Sequence, residues 1–282
     1  MGCDGDRLYF DGSALISLNG HLLAQSPQFT PKHVQVVTAT VDLDMIQILR
    51  GNRPSFTNTS AQIQDVFPFR FARIRLEGVR LSCNQCAALI SPRIAPFYHP
   101  HQEEVALGPA LWMWDYLRKS GCSGFCVPLS GGLDSSSCVL IVYSMAKCLS
   151  QYHRELDVRK DLMRVLGLNG MIDGEIDDFL SDPRNICQRI LHTAYLGTKY
   201  SSKESRKRAD NLAKAVNSHH QTFFVDSVVD AAVSLFSAVP IFKQNFTPKY
   251  QSEGGSRGED LALQNLQVFK CKCLCNLIYV CF

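Results

Sequence analysis

The feature of this sequence that most limits the fold is a short apolar run that ends in a glycine turn. The run Phe-Cys-Val-Pro-Leu at 125–129 leads directly into Ser-Gly-Gly-Leu-Asp-Ser at 130–135, and a helical pattern begins at Ser136. A buried strand, a glycine turn and a helix in immediate succession are typical of a parallel sheet with crossover helices. We therefore predict an α/β domain with this turn at the carboxyl end of a strand, where such sheets bind ligands.

The turn has the composition of a phosphate cradle. Its two glycines let backbone N–H groups approach an anion, and the N-terminus of the next helix directs its dipole to the same place. Serine hydroxyls add hydrogen-bond donors, and a carboxylate is a suitable ligand for the Mg²⁺ that accompanies a polyphosphate. The predicted nucleotide-binding residues are Pro128, Leu129, Ser130, Gly131, Gly132, Leu133, Asp134 and Ser135, with Asp134 also as the metal ligand.

Two competing motifs can be excluded for this turn. A Walker loop requires a Gly-Lys-Ser/Thr triplet, and the chain contains none. A nucleophile elbow requires glycine two places before the serine, and Pro128 occupies that place before Ser130. An ordinary Gly-Gly turn between a strand and a helix is the alternative that remains.

Helical and strand patterns surround this turn. A helix is predicted from Gln102, because Leu107, Leu111, Trp114 and Leu117 recur three or four residues apart. The elements predicted after the turn are a helix over 136–149, an irregular acidic stretch over 173–183, a helix over 184–200, a second helix to Val216 capped by Ser201 or Ser202, a strand over 221–225 and a helix over 226–238.

The first fifty residues carry β signals instead. Asp11-Gly12 and Asn19-Gly20 separate short apolar runs and predict two hairpins, and a third β run is predicted over Val34–Val41. Three short strands cannot enclose a core, so this segment needs a partner. Residues 51–100 show no sustained period and contain five prolines, and we predict a linker there.

The twelve cysteines are scattered through helical and strand patterns, which favours reduced core thiols. A four-thiolate zinc site formed by Cys83, Cys86, Cys122 and Cys126 is the functional alternative. The three cysteines between 271 and 275 alternate too closely for a zinc knuckle.

Charge and hydropathy identify no macromolecular partner. With 29 basic and 26 acidic side chains the net charge is +3, too weak to indicate nucleic acid or an anionic membrane. No apolar stretch reaches the roughly 18 residues of a membrane span, and the N-terminus lacks the pattern of a secretory signal. We therefore predict a cytoplasmic protein that binds neither nucleic acid nor membrane.

Three further features carry weaker signals. The basic cluster at Lys203 and 206–208 favours a solvated helix face. His219 and His220 are adjacent before a strand, so they should point to opposite faces and not share a metal ion. The glycine-rich segment 254–258 is a candidate mobile lid near the phosphate site.

The motif Ser-Gly-Gly-Leu-Asp-Ser after Phe-Cys-Val-Pro-Leu resembles the SGGxDS loop of the ATP-pyrophosphatase superfamily. Four other segments extend the likeness to the eukaryotic glutamine-dependent NAD synthetases: 104–114, 182–191, 217–220 and 258–265. Gly-Cys-Asp-Gly-Asp-Arg followed by Asp-Gly, at Gly2–Gly12, is similar to the end of that family's nitrilase-like glutaminase domain.

The resemblance implies a two-step ligase reaction. ATP adenylylates the nicotinate carboxyl of deamido-NAD and releases pyrophosphate, and ammonia drawn from glutamine displaces AMP to give NAD. ATP and Mg²⁺ would bind at Pro128–Ser135, and Ser130 would take the place of the active-site serine, as a phosphate stabiliser and not a nucleophile. The family further implies a homo-oligomer. Another ATP-pyrophosphatase ligase, of GMP or asparagine synthetase type, and an inactive ATP-binding fragment are the alternatives.

The resemblance covers most of residues 2–267 and implies a domain organisation in which the chain lacks both the beginning and the end of the family's sequence. The glutaminase Glu, Lys and Cys of the family lie before the part that Gly2–Gly12 resembles. The predicted regions are a remnant of a nitrilase-like αββα domain at 1–50, a linker at 51–100, the first half of a Rossmann-like adenine nucleotide α-hydrolase domain at 101–267 and an out-of-family tail at 268–282.

Overall fold

A computed structural model describes residues 2–5, 7–66, 74–75, 77–78, 90–168, 170, 172–199, 201–238 and 247–265. The strands in chain order are β1 (Gly2–Cys3), β2 (Tyr9–Phe10), β3 (Leu15–Leu18), β4 (His21–Gln25), β5 (Phe125–Pro128), β6 (Leu191–Gly197) and β7 (His219–Phe224). The helices are α1 (Leu43–Gly51), α2 (Pro54–Val66), α3 (His101–Ser120), α4 (Leu133–Gln151), α5 (Leu156–Leu166), α6 (Asp173–Ser181), α7 (Pro183–Ile190), α8 (Lys203–Val216) and α9 (Asp226–Ala238). A 3₁₀ turn at Gln251–Glu253 and helical residues 257–265 follow.

The chain divides into two compact units. The larger unit comprises Met1–Asp11, Phe29–His33 and Pro100–Phe282, and the smaller comprises Gly12–Gln28 and Val34–His99.

The described residues of the larger unit include a parallel sheet of three strands. The strand order is β5-β6-β7, with Val127 opposite Thr193 and Thr193 opposite His220. The chain reaches β6 from β5 through α4 to α7, and β7 from β6 through α8. This arrangement confirms the α/β class with a parallel sheet.

The central strand β6 is the most buried of the three, and its hydrophobic residues join a core formed largely by helices. Burial follows the helical spacing, because residues three or four apart share one face. Among the largest fully buried side chains are Leu117 of α3, Met145 and Leu149 of α4, Leu162 of α5, Ile176 and Leu180 of α6, and Ile186 and Ile190 of α7.

The helix predicted from Gln102 is confirmed as α3. Leu111, Trp114 and Leu117 are buried, and the helix ends at Gly121, whose φ of 77° is left-handed. In the parts of the chain that the structure describes, no helix is long and apolar enough to cross a membrane.

Two predicted segments after the glycine turn are wrong. The expected helix over 184–200 is α7 followed at once by β6, because no glycine or proline separates them and a short apolar run fits either structure. The acidic stretch over 173–183 contains helix α6, which buries Ile176 and Leu180 four residues apart. In contrast, α8, β7 and α9 form where they were predicted, to within two residues.

The first residues of the larger unit form a small antiparallel pair on α3. Strand β1 pairs with β2, Gly2 opposite Phe10, so the hairpin predicted at Asp11-Gly12 does not form. The backbone N–H of Cys3 donates to Asp115 Oδ2 at 2.8 Å, and Asp115 also binds Arg118 and Lys119. Burial would raise the pKa of Asp115, but the hydrogen bonds from Lys119 and the Cys3 N–H, with the charge of Arg118, hold it below its usual value.

The smaller unit contains the second predicted hairpin. Strands β3 and β4 are antiparallel, and Asn19 and Gly20 have φ of 53° and 82°, as a primed hairpin turn requires. The strand predicted over Val34–Val41 is wrong: the segment pairs with no strand among the described residues, and Val34 and Val36 are 74% and 81% exposed. Helices α1 and α2 occupy a region where no helix was predicted.

The described cysteines are free thiols. Burial raises the pKa of Cys148 and of Cys187 to about 12, so both are inert core thiols. No group of three potential metal ligands lies together in the described part of the chain. Cys83, Cys86 and the cysteines after 270 lie outside the described residues.

Candidate functional site

The glycine turn lies at the carboxyl end of β5, at one edge of the parallel sheet. Leu129 continues the sheet beyond β5, because its N–H donates to the carbonyl of Ala194 in β6 at 2.8 Å. Its side chain is fully buried. Helix α4 begins four residues later, at Leu133, so the turn Ser130–Gly132 is fixed to the sheet on one side and to a long helix on the other.

Two serine hydroxyls meet inside the turn. Ser130 Oγ lies 3.0 Å from Ser135 Oγ and accepts the N–H of Gly132 at 3.2 Å. The N–H of Ser130 donates to Ser135 Oγ, and that hydroxyl donates to the Gly132 carbonyl, both at 3.2 Å. The turn is thus closed by its own serines, and both side chains stand at the N-terminus of α4.

Gly131 brings a second helix to the same place. It has a left-handed φ of 76°, and a Cβ there would overlap the backbone carbonyl of Ser205, in the first turn of α8. Only glycine allows this approach. The N-termini of α4 and α8 therefore lie together at one edge of the sheet.

The N-terminus of α4 has free hydrogen-bonding capacity. Its N-cap is Gly132, and within the described residues no side chain caps the helix. The first helical hydrogen bond runs from the N–H of Ser136 to Gly132, so the N–H groups of 133–135 precede the helical ladder. Leu133 is 83% exposed and Asp134 is also exposed. The geometry is that of an anion-binding helix N-terminus open to solvent.

The predicted site residues divide into two groups. Pro128 has no N–H, and the N–H of Leu129 is used in the sheet, so these two residues fix the turn and cannot donate to a ligand from the backbone. The residues Ser130–Ser135 form the turn and the start of α4. The Ser130 hydroxyl is bonded to a serine and a backbone amide, and among the described residues no imidazole or carboxylate is bonded to it that could activate it as a nucleophile.

The sequence predicted the cap of α8 but not the loop before it, which follows β6 at this edge of the sheet. Ser202 caps α8, as one of the two predicted candidates, and the N–H of Thr198 donates to Ser201 Oγ at 2.9 Å. The N–H of Lys199 donates to Asp226 Oδ1 at 3.0 Å, which ties this loop to the first residue of α9. The serines and threonines over 198–205 are the available signal for the loop, but the predicted helix over 184–200 overlaps them.

The basic residues of the predicted solvated helix face, Lys203, Arg206, Lys207 and Arg208, are all exposed. The guanidinium of Arg206 also lies over the ring of Phe224 at 5.3 Å. Phe224 is the last residue of β7, so this cation–π pair also lies at the carboxyl edge of the sheet.

The adjacent histidines face opposite sides of the sheet, as predicted. The ring of His219 lies 5.3 Å from that of His192. His220 Nδ1 lies 2.8 Å from Thr193 Oγ1, and its Nε2 lies 3.2 Å from an Asp210 oxygen. Burial lowers the pKa of both His192 and His220, which favours their neutral forms.

Comparison with known proteins finds the same kind of enzyme in different organisms. The glutamine-dependent NAD(+) synthetase of Saccharomyces cerevisiae is 40% identical to this chain over 272 residues, which cover 94% of this chain and 36% of the yeast protein. The human glutamine-dependent NAD(+) synthetase is 40% identical over 267 residues, with the same coverage. No family model matches the chain.

This chain is homologous to one part of the glutamine-dependent NAD(+) synthetases. It spans about a third of the length of those relatives, 36% for the yeast and human proteins. A solved glutamine-dependent NAD(+) synthetase from Cytophaga hutchinsonii aligns with a TM-score of 0.49 and 24% identity, covering 63% of this chain and 30% of the bacterial one.

Proposed function

We propose that this chain carries the ATP-dependent amidation step of a glutamine-dependent NAD synthetase. A carboxylate oxygen of deamido-NAD attacks the α-phosphorus of ATP, and the bond to the β-phosphate breaks and releases pyrophosphate. Ammonia then attacks the activated carbonyl carbon and AMP leaves, so that ATP, deamido-NAD and ammonia give NAD, AMP and pyrophosphate. The proposal extends to the chain what its relatives' names state.

The observation that carries the proposal is the uncapped start of α4 beside the first turn of α8. Gly131 allows the two helices to meet, and the N–H groups of 133–135 open to solvent beside two serine hydroxyls. A pyrophosphate group presents several anionic oxygens, which this set of donors matches. The turn would hold the β- and γ-phosphates during the attack and keep them afterwards as the leaving group.

Ser130 acts in this proposal as a stabiliser of phosphate charge. Its hydroxyl is positioned by Ser135 and Gly132, and no base in the described part of the chain is bonded to it to make it a nucleophile. Phosphoryl chemistry depends mainly on positioning and on stabilising charge, so a fixed hydroxyl beside helix N-termini is sufficient.

The Asp134 carboxylate is suited to bind a divalent cation at the site. Asp134 is exposed in the first turn of α4, next to the proposed phosphate position. Mg²⁺ is commonly held by one or two carboxylates together with substrate phosphates and water. Asp134 would hold the ion, and the ion would neutralise phosphate charge when bound.

The finer parts of the sequence interpretation belong to the same proposal. Residues 101–267 would form the first half of a Rossmann-like adenine nucleotide α-hydrolase domain, and 1–50 the end of a nitrilase-like domain. The homo-oligomer, the cytoplasmic location and the use of glutamine as nitrogen donor stay predictions.

Product formation from a panel of substrates tests the proposal. The purified chain is supplied with ATP and Mg²⁺, with ammonia or glutamine, and with deamido-NAD, xanthosine monophosphate or aspartate as the acceptor. We expect NAD, AMP and pyrophosphate only with deamido-NAD, and loss of turnover in Ser130→Ala. Pyrophosphate release with another acceptor would indicate a different ATP-pyrophosphatase ligase.

Absence of turnover needs a second measurement, made on a chain shown to be folded by circular dichroism. ATP binding without turnover would identify an ATP-binding fragment. Absence of both ATP binding and turnover would contradict the proposed function.

A further inference from the structure

The central strand β6 is connected to the glycine turn by two routes. One is direct: the carbonyl of Ala194 accepts the N–H of Leu129, at the beginning of the turn. The other begins at the next residue, Tyr195, whose hydroxyl lies 3.0 Å from Ser205 Oγ in α8. Tyr195 is only 4% exposed, so this hydroxyl is a buried polar group that needs its partner.

The donor in the Tyr195–Ser205 hydrogen bond can be identified from the other bond that the Ser205 hydroxyl makes. Ser205 has one hydroxyl proton and donates it to the carbonyl of Ser202 at 2.8 Å. The tyrosine hydroxyl must therefore be the donor to Ser205 Oγ. The ring passes close to Gly197, where a Cβ would lie 3.0 Å from its Cε1 atom, so glycine leaves room for the ring in this position.

The backbone of Ser205 carries this constraint to the turn. Its carbonyl occupies the space that a Cβ of Gly131 would need, and Gly131 has the left-handed φ of 76°. A shift of the first turn of α8 would therefore open or compress the turn. The chain of contacts runs from the Tyr195 hydroxyl through Ser205 to Gly131.

We propose that Tyr195 is a positioning residue of the phosphate site, which acts by fixing the first turn of α8 against Gly131. The inference rests on the proposed function, because it concerns the same site. Tyr195 does not touch the bound phosphates. It sets the distance between the N-termini of α4 and α8, on which the affinity for a polyphosphate depends.

Binding of pyrophosphate and adenosine to a set of variants tests the proposal. Isothermal titration calorimetry, with Mg²⁺ in the buffer, measures the dissociation constant of each ligand. The proteins compared are the parent, Tyr195→Phe, Ser205→Ala and the double variant. We expect each single variant to bind pyrophosphate about three- to tenfold more weakly, the range for one neutral hydrogen bond. Ser205→Ala removes the bond to Tyr195 and also the bond to the Ser202 carbonyl, so the double variant should bind no more weakly than Ser205→Ala alone.

Adenosine separates positioning from general damage to the protein. It lacks phosphates, so its affinity should be equal in parent and variants, whereas a loss of packing would weaken both ligands. Tyr116→Phe is the matched control, because Tyr116 is 44% exposed and stacks on Trp112 of the same helix. Its pyrophosphate affinity should equal that of the parent.

Three outcomes overturn the inference. Equal pyrophosphate affinity in the parent and Tyr195→Phe refutes it and leaves the proposed function standing. Additive losses in the double variant, or a parallel loss of adenosine, show that the hydroxyl does not act through Ser205 on the phosphates. A parent that binds neither ATP nor pyrophosphate refutes the proposed function and this inference together.

Discussion

Two junctions between a glycine-containing loop and a helix can be compared in this molecule. The first is the turn Ser130–Gly132 before α4, and the second is the segment 254–256 before helical residues 257–265. At the first, no described side chain caps the helix. At the second, Ser256 and Glu259 form a capping box: Ser256 Oγ accepts the N–H of Glu259 at 3.3 Å, and Glu259 Oε1 accepts the N–H of Ser256 at 3.1 Å.

The difference shows what leaves the N–H groups at a helix N-terminus available to a ligand. At the second junction the carboxylate of Glu259 already provides the negative charge, and it also accepts the N–H of Lys249 at 3.0 Å. At the first junction the carboxylate of Asp134 lies in the first turn of α4 but caps no backbone N–H of the described residues, and the loop is held by α8 and β6. Glycine content does not distinguish the two, whereas the capping of the helix and the contacts around the glycine do.

The largest effect is expected from a pair of alanine substitutions at glycines with left-handed φ. Gly131 has φ of 76° and Gly254 has φ of 86°, but a Cβ at Gly254 would meet nothing within 4 Å. Gly254→Ala should cost about 1 kcal/mol of unfolding free energy, and Gly131→Ala about 3 kcal/mol because of the added overlap with Ser205. Urea unfolding measures both.

The same pair should differ in ligand binding. Gly131→Ala should abolish pyrophosphate binding under conditions where the protein is still folded, and Gly254→Ala should leave it unchanged. Equal losses in the two variants would show that the contact with α8 is irrelevant to the site.

A smaller effect is expected from the acidic residues of the two helices. Asp134→Asn should weaken ATP binding about tenfold in the presence of Mg²⁺ and not in its absence, because only the ion links this side chain to the phosphates. Asp260→Asn is the matched control at the second helix, where Asp260 accepts the N–H of Gln251. A magnesium-independent loss in Asp134→Asn would refute its role as metal ligand.

Removal of the cap at the second junction should affect stability and not binding. Glu259→Gln keeps the shape of the side chain and removes the charge that the N–H groups of Lys249 and Ser256 stabilise. We expect a slightly lower urea midpoint and the pyrophosphate affinity of the parent. A loss of affinity would mean that the second junction belongs to the phosphate site.

The smallest effect is a difference in pH dependence. The N–H groups of Lys249 and Ser256 hold the pKa of Glu259 below its ordinary value. The stabilisation that the ionised Glu259 carboxylate gives the folded protein is therefore complete above the ordinary pKa of glutamate. It is lost as the pH falls through the lowered pKa. Hydrogen-exchange protection of those two amides, corrected for the intrinsic rate, should fall in acid, while that of Leu129 and Gly132 should not follow this titration.

The sequence predicted the local structure of the candidate site better than the elements that support it. The run from Phe125 to Ser135 predicted a strand, a turn and a helix, because glycine, apolar and helical patterns change there within a few residues. The bracing by Tyr195 and Ser205 could not be predicted, because it depends on β6, which continues from α7 without a break and has the apolar composition of a buried helix segment.

In the smaller unit, a turn set by local residues was predictable, whereas a strand that needs a pairing partner was not. Asn19-Gly20 predicted its hairpin because that turn is specified by local backbone conformation. The alternating residues of Val34–Val41 predicted a strand that is absent, since a strand requires a partner and alternation alone does not supply one.

The central claim is that the turn at Ser130–Ser135 activates the carboxylate of deamido-NAD with ATP. Exchange of labelled pyrophosphate into ATP measures this step without ammonia or a glutaminase. We predict exchange that requires deamido-NAD and Mg²⁺, disappears in Gly131→Ala and persists in Gly254→Ala. Absence of exchange from the folded parent chain, or exchange that survives in Gly131→Ala, would contradict the account.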